Sequence, residues 1–85
     1  MTSWYVYVLV SEVSERTYVG ITTDVDRRLL EHNGDSKGGA KATRGHRPWK
    51  VGKIFGPLSS RSAACKLEWR VKQKKGKDRL KDEDS

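Results

Sequence analysis

The segment Trp4–Val10 constrains the fold of this 85-residue chain more than any other. Aromatic and β-branched residues fill it, which predicts a strand with Tyr5, Tyr7 and Leu9 on one face. The opposite face carries a tryptophan and three valines, namely Trp4, Val6, Val8 and Val10. Because both faces are apolar, we expect other elements to cover this strand on each side.

A polar turn at residues 11–15 separates this strand from a second one, predicted at Arg16–Gly20. So short a connection makes the two strands an antiparallel hairpin. If the loop spans residues 11–14, Tyr7 pairs directly opposite Tyr18.

The first helix is predicted directly after the hairpin. Residues 22–24 (Thr-Thr-Asp) offer N-caps for a helix that runs to about Asn33. Within this helix Arg28 and His32 are spaced i and i+4, so their side chains lie on one face.

The middle of the chain predicts a glycine-rich basic loop at residues 34–47 and a third strand at Trp49–Phe55. Gly56–Pro57 is expected to break this strand, because proline donates no backbone hydrogen bond. A second helix is predicted to begin after an N-cap at Ser59 or Ser60 and to continue to about Lys75.

The predicted order of elements is ββαβα. This order suits an α+β fold in which a three-stranded antiparallel sheet is flanked by helices. We expect one domain over residues 1–76 and a charged, flexible C-terminal tail over residues 77–85.

The chain carries 18 Lys and Arg residues against 11 Asp and Glu, a net charge of +7. Such an excess favours a polyanionic partner, and nucleic acid is the one we expect.

A single cysteine, Cys65, excludes an internal disulfide and favours a reducing compartment. No apolar run approaches the roughly 20 residues that span a bilayer, and no signal peptide is visible. We therefore expect no membrane partner, and a cytoplasmic protein in a bacterium or a nuclear one in a eukaryote.

The predicted nucleic-acid contacts lie mainly in the glycine-rich loop, where glycines allow a close approach to a phosphate backbone. They are Arg27, Lys37, Lys41, Thr43, Arg44, His46, Arg47 and Lys72. Trp49 and Trp69 are expected either to stack on unpaired bases or to pack in the core.

Several kinds of chemistry are disfavoured by residue counts and motifs. One cysteine and two histidines cannot form a closed structural zinc site, and no strand is followed by the Gly-Lys-Ser/Thr of a P-loop. Cys65 lies near the apolar stripe of the second helix, so we interpret it as a structural thiol. What remains is a polar set spread along the chain: Tyr7, Tyr18, Arg28, His32 and Glu68.

This polar set resembles the pattern of the GIY-YIG nucleases. The tripeptides at 5–7 (Tyr-Val-Tyr) and 18–20 (Tyr-Val-Gly) match the two that name the family, with a tyrosine replacing the first glycine. Arg28 follows Tyr18 by ten positions, as the family's arginine does, and His32 lies one helical turn later. Over nearly its whole length the chain is similar to small stand-alone bacterial members of the UPF0213 type. It is also similar to the nuclease domain of the SLX1 structure-specific endonucleases.

The resemblance implies a phosphodiester hydrolase that uses one divalent ion, Mg²⁺ or Mn²⁺. Glu68 is the implied metal ligand, and Arg28 is implied to grip the scissile phosphate. Tyr18 is the leading candidate to orient or deprotonate the attacking water, with Tyr7 beside it. His32 is implied to relay a proton.

These residues also have structural interpretations. Glu68 is spaced to pair with Lys72 at i+4. Some family members carry an asparagine after the helix that bears the glutamate, and here that role is vacant or filled by Lys72. Tyrosines are common on strands, and a histidine at a helix C-terminus, such as His32, interacts favourably with the helix dipole.

The expected activity is that of a metal-dependent endonuclease acting on DNA. So small a surface suits single-stranded, branched or flap DNA better than a long recognition sequence, and RNA stays open as a substrate. DNA repair and recombination are the processes that the resemblance implies. Two other functions stay open: a non-catalytic nucleic-acid-binding module, and a nuclease subunit that needs a partner protein.

Overall fold

The computed structural model describes residues 2–81. In chain order its elements are β1 (Trp4–Ser11), β2 (Thr17–Thr22), α1 (Val25–His32), a 3₁₀ turn (Lys41–Thr43), β3 (Trp49–Leu58), α2 (Arg61–Lys72) and a 3₁₀ segment (Gly76–Lys81). The three strands form one antiparallel sheet with the order β2-β1-β3. The α+β fold and the order ββαβα are therefore confirmed.

The central strand β1 is covered on both faces, as its sequence predicts. The core on the α2 side consists of small and branched apolar residues with one phenylalanine: Val6, Val8, Val19, Phe55, Ala64, Leu67 and Val71. The core on the α1 side is rich in aromatic residues: Tyr7, Leu9 and Trp49, with Tyr18, Val25, Leu29 and Val51 packed against them.

The hairpin has a different register from the one predicted. Tyr7 lies opposite Gly20, so the expected pairing of Tyr7 with Tyr18 is wrong. The backbone N–H of Ser11 donates to the carbonyl of Arg16 at 3.0 Å, which places the loop one residue later along the chain. Because the pairing moves by two positions, Tyr7 and Tyr18 still project from the same face of the sheet as diagonal neighbours.

Strand β3 continues to Leu58, so the predicted end at Phe55 and the break at Gly56–Pro57 are wrong. Its pairing with β1 is irregular there, since Trp4 faces Leu58 whereas Val6 faces Phe55. β3 is an edge strand, where a proline nitrogen can face away from the hydrogen-bond ladder.

Helix α2 is shorter than predicted and ends at Lys72 instead of near Lys75. The following 3₁₀ segment includes the first residues of the predicted tail, and its Leu80 packs against the α2-side core. Residues 82–85 of that tail lie outside the described residues, and flexibility of the tail stays a prediction. None of the described helices is long and apolar enough to cross a membrane.

Candidate active site

Tyr7 lies at the centre of the candidate site, on β1. Its side chain is 1% exposed, and its hydroxyl lies 2.8 Å from Nε2 of His32. Gly20 stands opposite on β2, where a Cβ atom would lie 2.5 Å from the Tyr7 hydroxyl oxygen. The glycine of the second tripeptide therefore provides the space that the Tyr7 hydroxyl occupies.

Arg28 projects from α1, and its positive charge opposes the rise that burial causes in the pKa of the Tyr7 hydroxyl. Its Nη1 also donates to the carboxylate of Glu31 and to the carbonyl of Gly38, the latter at 2.9 Å. Among the residues that the structure describes, these contacts use the two N–H donors of Nη1, out of five on the guanidinium. The side chain is 24% exposed, so the remaining donors can reach a ligand from solvent.

His32 is the last residue of α1 and is fully buried between Tyr7 and Thr43. Its Nδ1 lies 2.9 Å from Oγ1 of Thr43. Burial, and after it the positive charge of Arg28, lowers the pKa of His32 to about 4. The imidazole is therefore neutral at neutral pH.

Tyr18 is the more accessible of the two tyrosines and is half-buried. Its ring centroid lies 4.7 Å from that of His32 and 6.4 Å from that of Tyr7. Within residues 2–81 its hydroxyl has no hydrogen-bonding partner, so it is available to a water molecule or a substrate.

Glu68 belongs to α2, and its Oε2 lies 3.4 Å from Nζ of Lys72. Burial raises the pKa of the Tyr7 hydroxyl, Arg28 lowers it, and the charges of Tyr18 and Glu68 raise it further. Within the described residues, the Glu68 side chain forms the ion pair expected from its spacing to Lys72, and no hydrogen bond or ion pair joins it to the other four candidate residues.

A metal site here would rest on Glu68 alone. In the described part of the chain no group of three or more His, Cys, Asp or Glu side chains is placed to hold a metal ion. Mg²⁺ typically binds one or two protein carboxylates and fills its other positions with water and substrate phosphate oxygens. A carboxylate that is 22% exposed fits that donor set once Lys72 is displaced from it.

Most of the predicted nucleic-acid contacts are exposed. The exposed residues are Arg27 and Lys72 on the helices and Lys37, Lys41, Arg44 and His46 on the loop between α1 and β3. Arg47 is half-buried, and its Nε donates to the backbone carbonyl of His32 at 2.7 Å. A surface depression of about 490 Å³ is lined by three of the cations and two carboxylates, Lys37, Arg44, Arg47, Glu31 and Asp35.

A phosphate contact by Thr43 is not supported. Its side chain is fully buried, and its Oγ1 donates to the carbonyl of Ala40 at 2.8 Å. Trp49 is 4% exposed and donates its indole N–H to the carbonyl of Thr43 at 2.9 Å, so it packs in the core. Trp69 is 67% exposed and stays available for stacking on a base.

Three residues of the site were assigned no role from the sequence: Gly20, Glu31 and Gly38. Glu31 pairs with both Arg28 and Arg27 at helical spacing, a signal that is visible in the sequence. The contact from Arg28 to Gly38 depends on the path of the loop, which no local pattern indicates.

Comparison with known proteins agrees with this arrangement. The family model of the GIY-YIG catalytic domain matches residues 3–81. Over 82 residues the chain is 44% identical to UPF0213 protein YhbQ of Escherichia coli, a match that covers 94% of this chain and 78% of YhbQ.

Two eukaryotic relatives are longer proteins. The structure-specific endonuclease subunit slx1 of Schizosaccharomyces japonicus is 46% identical over 65 residues, which are 74% of this chain and 24% of that subunit. Subunit SLX1 of Cryptococcus neoformans is 48% identical over 56 residues, which are 66% of this chain and 12% of that subunit. The chain thus spans a quarter or less of the length of these two relatives. Because the family model matches nearly all of it, the chain belongs to the GIY-YIG catalytic domain family.

Proposed function

We propose that this chain is a divalent-metal-dependent endonuclease that hydrolyses phosphodiester bonds in DNA. The observation that carries the proposal is the convergence of Tyr7, Tyr18 and His32, with the charge of Arg28 acting on both Tyr7 and His32. Single-stranded, branched or flap DNA is the proposed substrate, because relatives of the chain are named structure-specific endonuclease subunits.

Arg28 binds the scissile phosphate in this proposal. Its contacts to Glu31 and Gly38 hold the planar guanidinium in one orientation through Nη1, while the two N–H donors of Nη2 stay free of these contacts. Two such donors match two phosphate oxygens. A fixed positive charge at this point stabilises the negative charge that develops on the phosphate during attack.

Tyr18 orients the attacking water, since its hydroxyl is the accessible one of the pair. Tyr7 is buried, and its hydroxyl already contacts His32. The neutral imidazole of His32 lies within hydrogen-bond reach of the Tyr7 hydroxyl and can accept a proton from it.

Glu68 is the residue proposed to hold one Mg²⁺ or Mn²⁺ ion. When bound, such an ion supplies charge neutralisation at the phosphate and a lower pKa for coordinated water. Lys72 lies one helical turn from Glu68 and is proposed to bind the phosphate backbone when it leaves the carboxylate.

A cleavage panel tests the proposal. Purified chain is incubated with single-stranded, duplex, flap and four-way DNA and with RNA, with and without Mg²⁺ or Mn²⁺. We expect metal-dependent cleavage of at least one DNA structure, and a loss of about 100-fold or more in Glu68→Gln. Glu12→Gln, on the exposed hairpin loop, is the matched control and should cleave like the unmodified chain. Undiminished cleavage by Glu68→Gln would contradict the metal role.

A second candidate is a nuclease subunit that becomes active only with a partner protein. Two ion pairs favour it. Glu31 pairs with Arg28, and Lys72 pairs with Glu68, so both groups that the reaction needs are already occupied within the chain. DNA binding without cleavage in the panel would favour this candidate or the non-catalytic module. The location in the cell and a part in DNA repair or recombination stay predictions.

A further inference from the structure

Thr43 occupies an interior position directly behind the candidate site. It ends the 3₁₀ turn Lys41–Thr43, and its side chain is fully buried. Its Oγ1 has two partners, the carbonyl oxygen of Ala40 at 2.8 Å and Nδ1 of His32 at 2.9 Å. Its backbone carbonyl accepts from the indole of Trp49, which holds the turn against the core.

The direction of each hydrogen bond around Thr43 follows from the donors that are present. The contact from Oγ1 to the Ala40 carbonyl, which can only accept, is the shorter of the two, and we assign the single hydroxyl hydrogen of Thr43 to it. Oγ1 must then accept from His32, which places the imidazole hydrogen on Nδ1. A neutral imidazole carries one N–H, so Nε2 has a lone pair and accepts from the hydroxyl of Tyr7.

The hydrogen bonds beyond the imidazole follow the same direction. The Tyr7 hydroxyl lies 2.8 Å from Nε2 of His32, and its single hydrogen points to that lone pair. Hydrogen bonds therefore run in one direction from Tyr7 through His32 and Thr43 to the carbonyl of Ala40.

We propose that Thr43 is a positioning residue that fixes the Nδ1–H tautomer of His32. Through that tautomer it directs the Tyr7 hydrogen to Nε2 and so fixes the orientation of the Tyr7 hydroxyl within the site that Arg28 shares. The tautomer depends only on contacts in the chain itself. Its consequence for phosphate binding by Arg28 rests on the proposed function.

Loss of the Thr43 hydroxyl should reverse this arrangement. In Thr43→Val the Nδ1–H form has no acceptor, whereas the Nε2–H form can donate to the oxygen of Tyr7. That oxygen would then accept from Nε2, and the Tyr7 hydrogen would lose its partner. In Thr43→Ser the hydroxyl is kept and the original direction should be retained.

The imidazole nitrogens report the tautomer directly. We would record two-bond ¹H–¹⁵N correlation spectra of the ¹⁵N-labelled full chain near pH 7, with the exposed His46 as a reference in the same spectrum. The expected result is the Nδ1–H form of His32 in the unmodified chain and in Thr43→Ser, and the Nε2–H form in Thr43→Val. Thr43→Ala replaces Thr43→Val if the valine variant does not fold.

Two results would overturn the proposal: the Nε2–H form in the unmodified chain, or the Nδ1–H form retained without the hydroxyl. In the cleavage panel, the variant without the hydroxyl should lose about tenfold or more in turnover, with DNA affinity within about twofold, and Thr43→Ser should restore turnover. Absence of cleavage by every variant would count against the proposed function, whereas the spectra decide the role of Thr43 independently.

Discussion

The hydroxyl of Tyr7 lies 2.8 Å from Nε2 of His32, although 25 positions separate the two residues in the chain. Strand β1 supplies the tyrosine, the end of α1 supplies the histidine, and both side chains are buried. Because burial and the charge of Arg28 lower the pKa of His32 to about 4, the folded state carries a neutral imidazole at neutral pH. Stability and activity should therefore respond to protonation of His32 and to displacement of the Tyr7 hydroxyl.

Acid should destabilise the folded chain through His32. Burial and the charge of Arg28 lower its pKa to about 4. In the unfolded chain its pKa should have the ordinary histidine value of about 6.5. Between these values the unfolded state binds a proton that the folded state does not. The free energy of unfolding should therefore fall as the pH falls from about 6.5 to about 4, by up to about 3 kcal/mol, and be unaffected by His32 at higher pH. Urea unfolding at a series of pH values measures this slope.

The second histidine provides the control for this measurement. His46 is exposed and has a φ of 62°, a conformation that asparagine tolerates. His46→Asn should keep the slope, and His32→Gln should remove most of it. An unchanged slope in His32→Gln would show that other groups cause the acid sensitivity.

Gly20→Ala should displace the Tyr7 hydroxyl. The added Cβ would lie 2.5 Å from that oxygen, well inside van der Waals contact. We expect a destabilisation of about 1–3 kcal/mol from overpacking, and a loss of cleavage that exceeds the loss of DNA binding. Gly45→Ala is the matched control, because a Cβ at Gly45 meets nothing within 4 Å. Equal behaviour of the two variants in denaturation and cleavage would refute the spatial role of Gly20.

Truncation of Trp49 on β3 should lower stability strongly, whereas truncation of Trp69 on α2 should barely change it. Trp49 is 4% exposed, so Trp49→Ala should cost about 3–5 kcal/mol of unfolding free energy. Trp69 is 67% exposed, so Trp69→Ala should change stability by about 0.5 kcal/mol or less. If Trp69 stacks on a base, the same variant should weaken binding of single-stranded DNA by about 1–3 kcal/mol. Thermal unfolding and a fluorescence titration measure the two effects, and unchanged affinity would exclude stacking.

Removal of two loop lysines should weaken the salt dependence of DNA binding. Lys37 and Lys41 are exposed on the loop beside the site. If each contacts one phosphate, the double alanine variant should reduce the slope of log K against log salt by about 1.4 for a single strand. Lys77→Ala, whose lysine pairs with Glu15 at 3.2 Å, is the control and should keep the slope. Binding isotherms at several salt concentrations provide the slopes.

Local sequence patterns were sufficient to predict the elements and their order. The apolar strand Trp4–Val10, the cap at Asp24 and the serine cap at Ser60 each act within a few residues, and all three are present in the structure. Face assignment also followed from the alternation of the strand, because a two-residue change of register leaves every side chain on its face. The candidate site residues were found through an ordered set of spacings that resembles a family, since no single one of them is specific.

Tertiary structure alone decided how these residues interact. The register of the hairpin placed Gly20 opposite Tyr7, and the path of the loop after α1 brought Gly38 to Arg28. The same loop turned Thr43 inward to His32, although its basic neighbours had suggested a phosphate contact. Such contacts join residues distant in sequence, and they depend on loop closure and core packing. A spacing in the sequence reports neither, so the hydrogen-bonded chain behind the site becomes visible only in the folded molecule.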